Sequence, residues 1–369
     1  MKYGINTIDD FSVSGKRVLV RVDFNQPIDH ATGTLRSTKR IEAAVSTIRE
    51  LIEKNAKIIV LSHQGSDIEY QNFYTTRPHA AVLSRLLGSP VHFIEDVCGP
   101  AALQAIQSVK CGEVLMLDNV RFMSEEQTLF EHELHLSIEQ QLATQVVSKL
   151  APVIDLYIND AFAAAHRNQP SLCAFPYCVP SAMGRLFERE YEVIQEMMDH
   201  PRHSSIFVLG GAKINDALDI IESVLASNIC DTVLSGGLVA NLFLLASGVN
   251  IGDASAAFLA KKGFLKRLDD VKAIYSSYPQ RIVLPRDLAY IEDGERKEIK
   301  VSPVLSSNLY VDIGIDTIRH YDGIIASAQS VFVNGPVGVF EEPLSELGTK
   351  SIWESLATTK AFTVVGGGD

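Results

Sequence analysis

The segment SIFVLGGAKINDALDII, residues 205–221, decides the fold class of this chain. It begins with a short apolar run typical of a buried strand, continues through two glycines, and then shows apolar residues at helical spacing. Lys213 lies where the helical pattern begins, so its ammonium group and the free amides of a helix N-terminus can act together on a phosphoryl group. The segment therefore predicts a strand-turn-helix unit of a parallel α/β fold with an anion site at its turn.

The same pattern recurs along the chain, where short apolar runs alternate with amphipathic stretches. Such alternation is typical of parallel sheets covered by helices on both faces. The apolar runs predict strands at 17–22, 57–62, 113–118, 153–160, 205–211, 231–237, 281–287, 330–336 and 362–368. The amphipathic stretches predict helices at 41–54, 77–88 and 185–198.

A length of 369 residues favours two domains over one. The stretch 168–184 carries three prolines and is interpreted as irregular, and the helix predicted after it would connect the halves. We expect an N-terminal domain at 1–180, a connecting helix and hinge at 181–200, and a C-terminal domain at 201–369. The predicted fold is two Rossmann-like three-layer α/β/α domains with mainly parallel sheets.

Composition excludes several classes of protein. A formal net charge of −12 argues against a general nucleic-acid binder, although local arginines can still hold an anionic metabolite. The N-terminus has no apolar signal region, and no uninterrupted apolar stretch is long enough for a membrane span. The five cysteines are widely scattered, which favours reduced thiols and a cytoplasmic protein. We expect a monomer.

The residues that follow the strands differ between the two halves. In the first half they are polar: Asp23, Asn25, His63, Asn119, Arg121, Asn159, Asp160, His166 and Arg167. In the second half they are mostly glycines, in GGAK (210–213), SGGL (235–238), NGPVG (334–338) and GGGD (366–369). Because ligands bind at the carboxyl ends of parallel strands, the first half is interpreted as a site for a small anionic metabolite. The glycines of the second half would let the backbone lie against a nucleotide.

Each of these features alone has an ordinary structural explanation. A single arginine or histidine is more often part of a surface ion pair or a hydrogen-bonded core, and a lone Gly-Gly is usually a turn. The recurrence in both halves favours the functional interpretation. The chain lacks the Walker phosphate-loop pattern and the G-x-G-x-x-G dinucleotide fingerprint, so a nicotinamide dehydrogenase is disfavoured.

Seven motifs, in order, carry a family resemblance: RVDFNQP, SHQG, LDNVRF, YINDAFAAAHR, GGAKIND, NGPVGVFE and VVGGGD. From about residue 15 to the last residue the chain resembles phosphoglycerate kinase, and SHQG is similar to the archaeal branch. The resemblance implies reversible, Mg²⁺-dependent phosphoryl transfer between 1,3-bisphosphoglycerate and ADP, giving 3-phosphoglycerate and ATP.

The resemblance also implies site residues. The phosphoglycerate would be bound by Asp23, Asn25, Arg40, His63, Arg121 and Arg167. The nucleotide would be bound by Gly210, Gly211, Lys213, Gly236, Gly237, Gly314, Asn334, Pro336, Gly338, Glu341, Gly366, Gly367, Gly368 and Asp369. Arg40 and Lys213 would stabilise the transferring group, Glu341 would bind the ribose hydroxyls, and Asp369 would hold the Mg²⁺ that accompanies ATP or ADP.

Three departures from the family pattern stand out. Ser66 replaces an arginine that contacts the substrate phosphate, and Ala217 replaces a lysine that contacts nucleotide phosphates. The family also continues beyond GGGD, so the chain is expected to be cut short, with weaker nucleotide binding and domain closure. The alternative hypothesis is therefore a catalytically impaired relative that binds nucleotide or metabolite without efficient turnover.

Overall fold

The computed structural model describes residues 1–29, 31–65, 73–127, 134–305 and 307–366. The chain divides into two compact units, Met1–Glu192 and Val193–Asp369. Each unit is built around its own sheets and is described by itself.

The first unit contains the strands β1 (Arg17–Val22), β2 (Lys57–Ser62), β3 (Val91–Ile94), β4 (Val114–Leu117), β5 (Leu156–Asn159) and β6 (Ser181–Met183). They form a parallel sheet with the strand order β3-β4-β2-β1-β5-β6. Its helices are α1 (Lys39–Glu53), α2 (Arg77–Leu87), α3 (Pro100–Ser108), α4 (Ile138–Leu142), α5 (Gln145–Leu150), α6 (Pro170–Cys173) and α7 (Arg185–Asp199), inside which the division between units falls.

Both faces of this sheet are buried, as the central strand β1 illustrates. Val18, Val20 and Val22 pack into the apolar cluster that contains the inner face of α1. Leu19 packs into a second cluster, on the opposite face, because successive side chains of a strand alternate. Arg21 shares the parity of Leu19, so its side chain enters the second face next to the end of the strand. The unit is thus a three-layer α/β/α structure.

The second unit contains a parallel sheet ordered β14-β13-β7-β8-β9 and a smaller antiparallel sheet ordered β11-β10-β12. Its strands are β7 (Ser205–Leu209), β8 (Thr232–Ser235), β9 (Ile282–Val283), β10 (Asp287–Glu292), β11 (Glu295–Lys300), β12 (Tyr310–Ile313), β13 (Ser330–Asn334) and β14 (Phe362–Gly366). Its helices are α8 (Ile214–Ala226), α9 (Gly237–Ala246), α10 (Gly252–Lys261), α11 (Leu268–Ser277), α12 (Ile315–Ala326) and α13 (Leu347–Thr358).

The predicted α/β class with mainly parallel sheets is confirmed. The interpretation of 168–184 as irregular was wrong in part, because α6 and β6 lie inside it and β6 pairs with β5. The antiparallel sheet was not predicted. Among the described residues, the helices are too short or too polar to cross a bilayer.

Candidate active site

In the first unit, strand register brings the predicted polar residues to one edge of the sheet. Val22 at the end of β1 is level with Ser62 at the end of β2, and Arg21 is level with Asn159 at the end of β5. Strand β4 flanks β2 on its other side. The loops that follow β1, β2, β4 and β5 therefore leave the sheet side by side, which is where an open α/β sheet binds its ligand.

Asp23, in the loop after β1, contacts both α1 and the loop after β2. Its Oδ2 accepts a 2.6 Å hydrogen bond from Nη1 of Arg40, near the start of α1, and its Oδ1 lies 3.7 Å from Nε2 of His63. The adjacent Asn25 accepts a 2.9 Å bond from the amide of Gly65. The structure thus brings together four of the residues predicted to bind the substrate.

His63 is buried and neutral at this edge. Nη2 of Arg21 lies 3.3 Å from its Nδ1. Because a guanidinium group only donates hydrogen bonds, Nδ1 must accept, and the proton of the neutral ring is assigned to Nε2, which faces Asp23. Burial, followed by the charges of nearby arginines, holds the pKa of His63 well below 6.5. The arginines responsible are Arg21, Arg121, Arg167 and Arg40.

Arg121 is held under the same loops by the backbone. Its side chain is almost fully buried, its Nη1 donates to the carbonyl oxygen of Gly65, and its amide donates to the side chain of Asn119 over 3.0 Å. Asn119 also accepts from the amide of Gln64 over 3.0 Å and donates to its carbonyl over 2.8 Å. One asparagine therefore fixes both the arginine and the loop that carries His63.

Arg167 is half-buried after β5, and its charge is among those that lower the pKa of His63. It therefore belongs electrostatically to the same cluster. Ser66, the first departure from the family pattern, lies outside the described residues.

Sequence reasoning missed two residues that organise this edge. Arg21 lies within the strand RVLVRV, and an arginine in a strand normally indicates a side chain that faces solvent. Gln64 links two loops, because its amide nitrogen donates to the carbonyl of Gln26 and its oxygen accepts from the amide of the same residue. His79 of α2 approaches the same oxygen at 2.9 Å. In the sequence, the only signal for Arg21 and Gln64 is that they lie inside the motifs RVDFNQP and SHQG.

In the second unit, the predicted nucleotide residues also align at one edge. Asn334 at the end of β13 is level with Gly366 of β14 and with Leu209 of β7. Leu209 is in turn level with Ser235 of β8. The loops after β7, β8 and β13 carry three of the glycine motifs, so the structure brings these three together with Gly366, the first residue of the fourth.

The glycines of this edge interlock with one another. A Cβ atom on Gly210 would lie 2.2 Å from the carbonyl oxygen of Pro336, and one on Gly236 would lie 2.5 Å from Cγ1 of Val337. The amide of Gly211 donates to the Pro336 oxygen over 2.7 Å, and that of Gly237 donates to the Val337 oxygen over 2.8 Å. These glycines are required by close packing between loops, and their amides are already used within the protein.

Lys213 is the N-cap residue of α8, and its side chain is exposed. The amides of the first turn have no partner inside the helix and point toward the helix N-terminus. A phosphate placed there would meet these amides and the Lys213 ammonium group together. Ala217, the second departure, is 1% exposed and packs into the apolar core beneath α8.

The remaining predicted nucleotide residues have different surroundings. Gly314 is the N-cap residue of α12, where the Asp287 carboxylate accepts hydrogen bonds from the helix amides. A Cβ atom on Gly314 would lie 2.3 Å from the carboxylate carbon of Asp287. Packing alone therefore explains that glycine. Gly338 is packed in the same way against Asp312. Glu341 is exposed.

The described residues include no group of three His, Cys, Asp or Glu side chains that could hold a metal ion. Gly367, Gly368 and Asp369, the last of which is the predicted Mg²⁺ ligand, lie outside the described residues. Within the part of the chain that the structure describes, the edge of the second unit offers backbone amides, an asparagine and a lysine. That donor set suits the anionic phosphates of a nucleotide better than a bare cation.

Comparisons with known proteins agree with this picture. The model of the family described as phosphoglycerate kinase matches residues 8–369. The phosphoglycerate kinase of Methanothermobacter thermautotrophicus is 40% identical over 368 residues, covering 100% of this chain and 88% of the relative. That of Methanothermus fervidus is 40% identical over 98% of this chain and 86% of the relative.

A solved structure supports the same assignment. Phosphoglycerate kinase from Pyrococcus horikoshii superposes with a TM-score of 0.89 at 39% identity, covering 99% of this chain and 89% of the other. A kinase and an archaeal-like sequence were both expected from the motifs, and both expectations are confirmed. The chain belongs to the phosphoglycerate kinase family, whose members are glycolytic kinases that act on phosphoglycerate and ATP or ADP.

Proposed function

We propose that the two sheet edges divide the substrates of the reaction between them. The edge of the first unit binds 3-phosphoglycerate or 1,3-bisphosphoglycerate, and the edge of the second unit binds ATP or ADP. The observation that carries the proposal is the cluster around neutral His63, where buried arginines converge at the carboxyl ends of adjacent parallel strands.

In the first unit, each side chain has a role that its chemistry suits. Arg121 and Arg167 neutralise the phosphate of the substrate, since guanidinium groups bind phosphate through two parallel hydrogen bonds. Nε2–H of His63 donates to a substrate oxygen without adding charge. Asp23 and Asn25 accept from or donate to the hydroxyl and carboxylate of the glycerate.

Arg40 and Lys213 act on the transferring group. The in-line transfer of a phosphoryl group needs positioning and charge neutralisation more than acid-base chemistry. Arg40 is held by Asp23 at the start of α1, and its side chain remains about one-third exposed, so it can turn toward a reacting phosphate. Lys213 and the first-turn amides of α8 meet the nucleotide phosphates.

A nucleotide-bound Mg²⁺ would neutralise part of the phosphate charge when present. Asp369 is proposed as its protein ligand, and the remaining ligands would come from the nucleotide and water. The glycines of the second unit, with Asn334 and Pro336, are proposed as further nucleotide-binding residues, and Glu341 is proposed to bind the ribose hydroxyls. The hinge at 181–200, the monomeric state and the cytoplasmic location stay predictions.

A coupled assay that follows ATP consumption with 3-phosphoglycerate tests the proposal directly. Turnover that requires both substrates and Mg²⁺ is expected. Calorimetric binding of ATP without any turnover would favour the alternative of a catalytically impaired relative. Small-angle scattering with both ligands bound tests the hinge, for which compaction is expected.

A further inference from the structure

A buried chain of hydrogen bonds reaches His63 at Nδ1, the ring nitrogen that does not face Asp23. It begins at Arg21, which is fully buried, and reaches Ser171 at the start of α6 and then Glu126. Nε of Arg21 donates to the Ser171 hydroxyl over 3.0 Å, and that hydroxyl donates to Oε2 of Glu126 over 2.7 Å. None of these three residues is used by the roles proposed above.

Chemistry fixes the direction of the two bonds made by Arg21, and ionised Glu126 fixes that of the third. Arg21 can only donate, so both the Ser171 oxygen and Nδ1 of His63 accept from it. Because Ser171 accepts from Arg21, its own proton is free to point at Glu126. The Glu126 carboxylate accepts this proton and also the Ser171 amide, at 2.6 Å. Because Arg21 donates to Nδ1, the proton of His63 lies on Nε2, and Ser171 with Glu126 fixes where the guanidinium group lies.

The rest of the Arg21 and Ser171 environment is also occupied. Nη1 of Arg21 donates to the carbonyl oxygen of Val22 over 2.6 Å, and the Tyr157 hydroxyl donates to the Ser171 carbonyl oxygen over 2.8 Å. Arg21, Glu126 and Ser171 are all fully buried, so no solvent replaces a lost partner. A buried arginine without a nearby carboxylate would be costly, and ionised Glu126 supplies that charge through one intervening hydroxyl. Burial raises the pKa of Glu126 to about 7, while the charge of Arg21 and the hydrogen bonds from Ser171 favour its ionised form.

We propose that Glu126 is a positioning residue for the phosphoglycerate site. Through Ser171 it orients Arg21, and Arg21 keeps His63 in the tautomer that presents Nε2–H to the substrate. This inference rests on the proposed function for the part that concerns substrate. The tautomer itself is a property of the free protein and can be measured without any activity.

The first measurement uses the unmodified chain. Long-range ¹H–¹⁵N spectra of histidine-labelled protein, with His63 assigned by comparison with His63→Gln, report which ring nitrogen carries the proton. A protonated Nε2 is expected. A protonated Nδ1 would overturn the proposal whether or not the chain is an active kinase.

The second measurement uses Glu126→Gln with Glu125→Gln as its matched control. Glu125 is the neighbouring carboxylate, but it accepts from the amide of Val146 over 3.2 Å and is not part of the chain to Arg21. Glu126→Gln is expected to shift the His63 nitrogen resonances and to raise the KM for 3-phosphoglycerate about tenfold, with kcat changed less than about threefold. Glu125→Gln is expected to do neither.

Unchanged His63 resonances in folded Glu126→Gln would overturn the proposal. If that variant does not fold, Ser171→Ala breaks the same chain at its hydroxyl and must give the same shift. Glu126→Asp should restore the His63 resonances in part, because it keeps the acceptor charge. A wild-type chain that shows the expected tautomer but no turnover would leave this inference standing and refute the proposed function alone.

Discussion

The carboxyl edges of the two parallel sheets are stabilised in different ways, one by side chains and the other by the backbone. In the first unit, side chains such as His63 and Arg121 gather beyond the strand ends and are held by a buried hydrogen-bond network. In the second unit, the loops are held by backbone packing, with glycines such as Gly210 fitted against the neighbouring loop. A glycine motif after a strand is therefore evidence of close packing between loops. It bears on a ligand only indirectly, because that packing shapes the space where a ligand could bind.

The largest expected effect is on catalysis, in the second unit. Lys213→Met removes the exposed ammonium group at the N-terminus of α8, so kcat should fall about 10²–10³-fold, as when one stabilising donor is lost from a transition state. ATP affinity measured by calorimetry should change less. Lys261→Met, on the exposed end of α10, is the control and should leave kcat unchanged. An equal loss of kcat in both variants would show that Lys213 has no specific role in the reaction.

The next effect should be confined to phosphoglycerate, in the first unit. Arg121→Met removes a buried guanidinium group, and on the scale of about 1.5–3 kcal/mol for hydrogen bonds to charged groups it should raise the KM for 3-phosphoglycerate roughly 10- to 100-fold. Steady-state kinetics provide the measurement. Arg85→Met, an exposed arginine of α2, is the control. A larger loss of ATP affinity than of phosphoglycerate affinity would contradict the division of the two edges.

A smaller effect should distinguish packing from ligand contact in the glycine loops. Gly210→Ala places a methyl group 2.2 Å from the Pro336 carbonyl oxygen, so the free energy of unfolding should fall by about 1–3 kcal/mol even without nucleotide. Denaturant unfolding is the measurement. Gly323→Ala, inside α12 with no atom within 4 Å, should instead gain up to about 1 kcal/mol. No loss of stability for Gly210→Ala would refute the interlocking of the loops.

The smallest effect concerns pH. Burial lowers the pKa of His79 to about 4, so the unfolded chain binds a proton there below pH 6.5 while the folded chain does not. The contribution of His79 to stability is therefore complete above pH 6.5 and decreases as the pH falls toward 4. NMR titration of its ring should show a midpoint near 4. A midpoint near 6.5 would mean that the ring is not buried in solution.

The sequence predicted the parallel strands well because they are buried on both faces and read as continuous apolar runs. Strands β1 and β2 begin and end at the predicted residues. Strand β11, ERKEIK, was missed because it is exposed and charged, and it is defined by pairing with β10. The short β6 was missed for a similar reason, since tertiary pairing with β5 outweighs its proline-rich surroundings.

The site was predictable where a residue follows a strand, and not where it acts from within one. His63 and Arg121 stand at strand ends and were found by that rule. Arg21 lies inside β1, and the hydrogen-bond chain that holds it runs through Ser171 and Glu126, which are far away in sequence. The need for glycine at position 314 could not be predicted either, because it depends on close packing against the side chain of Asp287.

The most direct test of the division between the two edges is calorimetry of both ligands with the same two variants. Wild type, Arg121→Met and Lys213→Met are each titrated with 3-phosphoglycerate and with ATP. We expect Arg121→Met to weaken only 3-phosphoglycerate binding, and any loss caused by Lys213→Met to be confined to ATP. Loss of 3-phosphoglycerate binding in Lys213→Met, with binding retained in Arg121→Met, would contradict it.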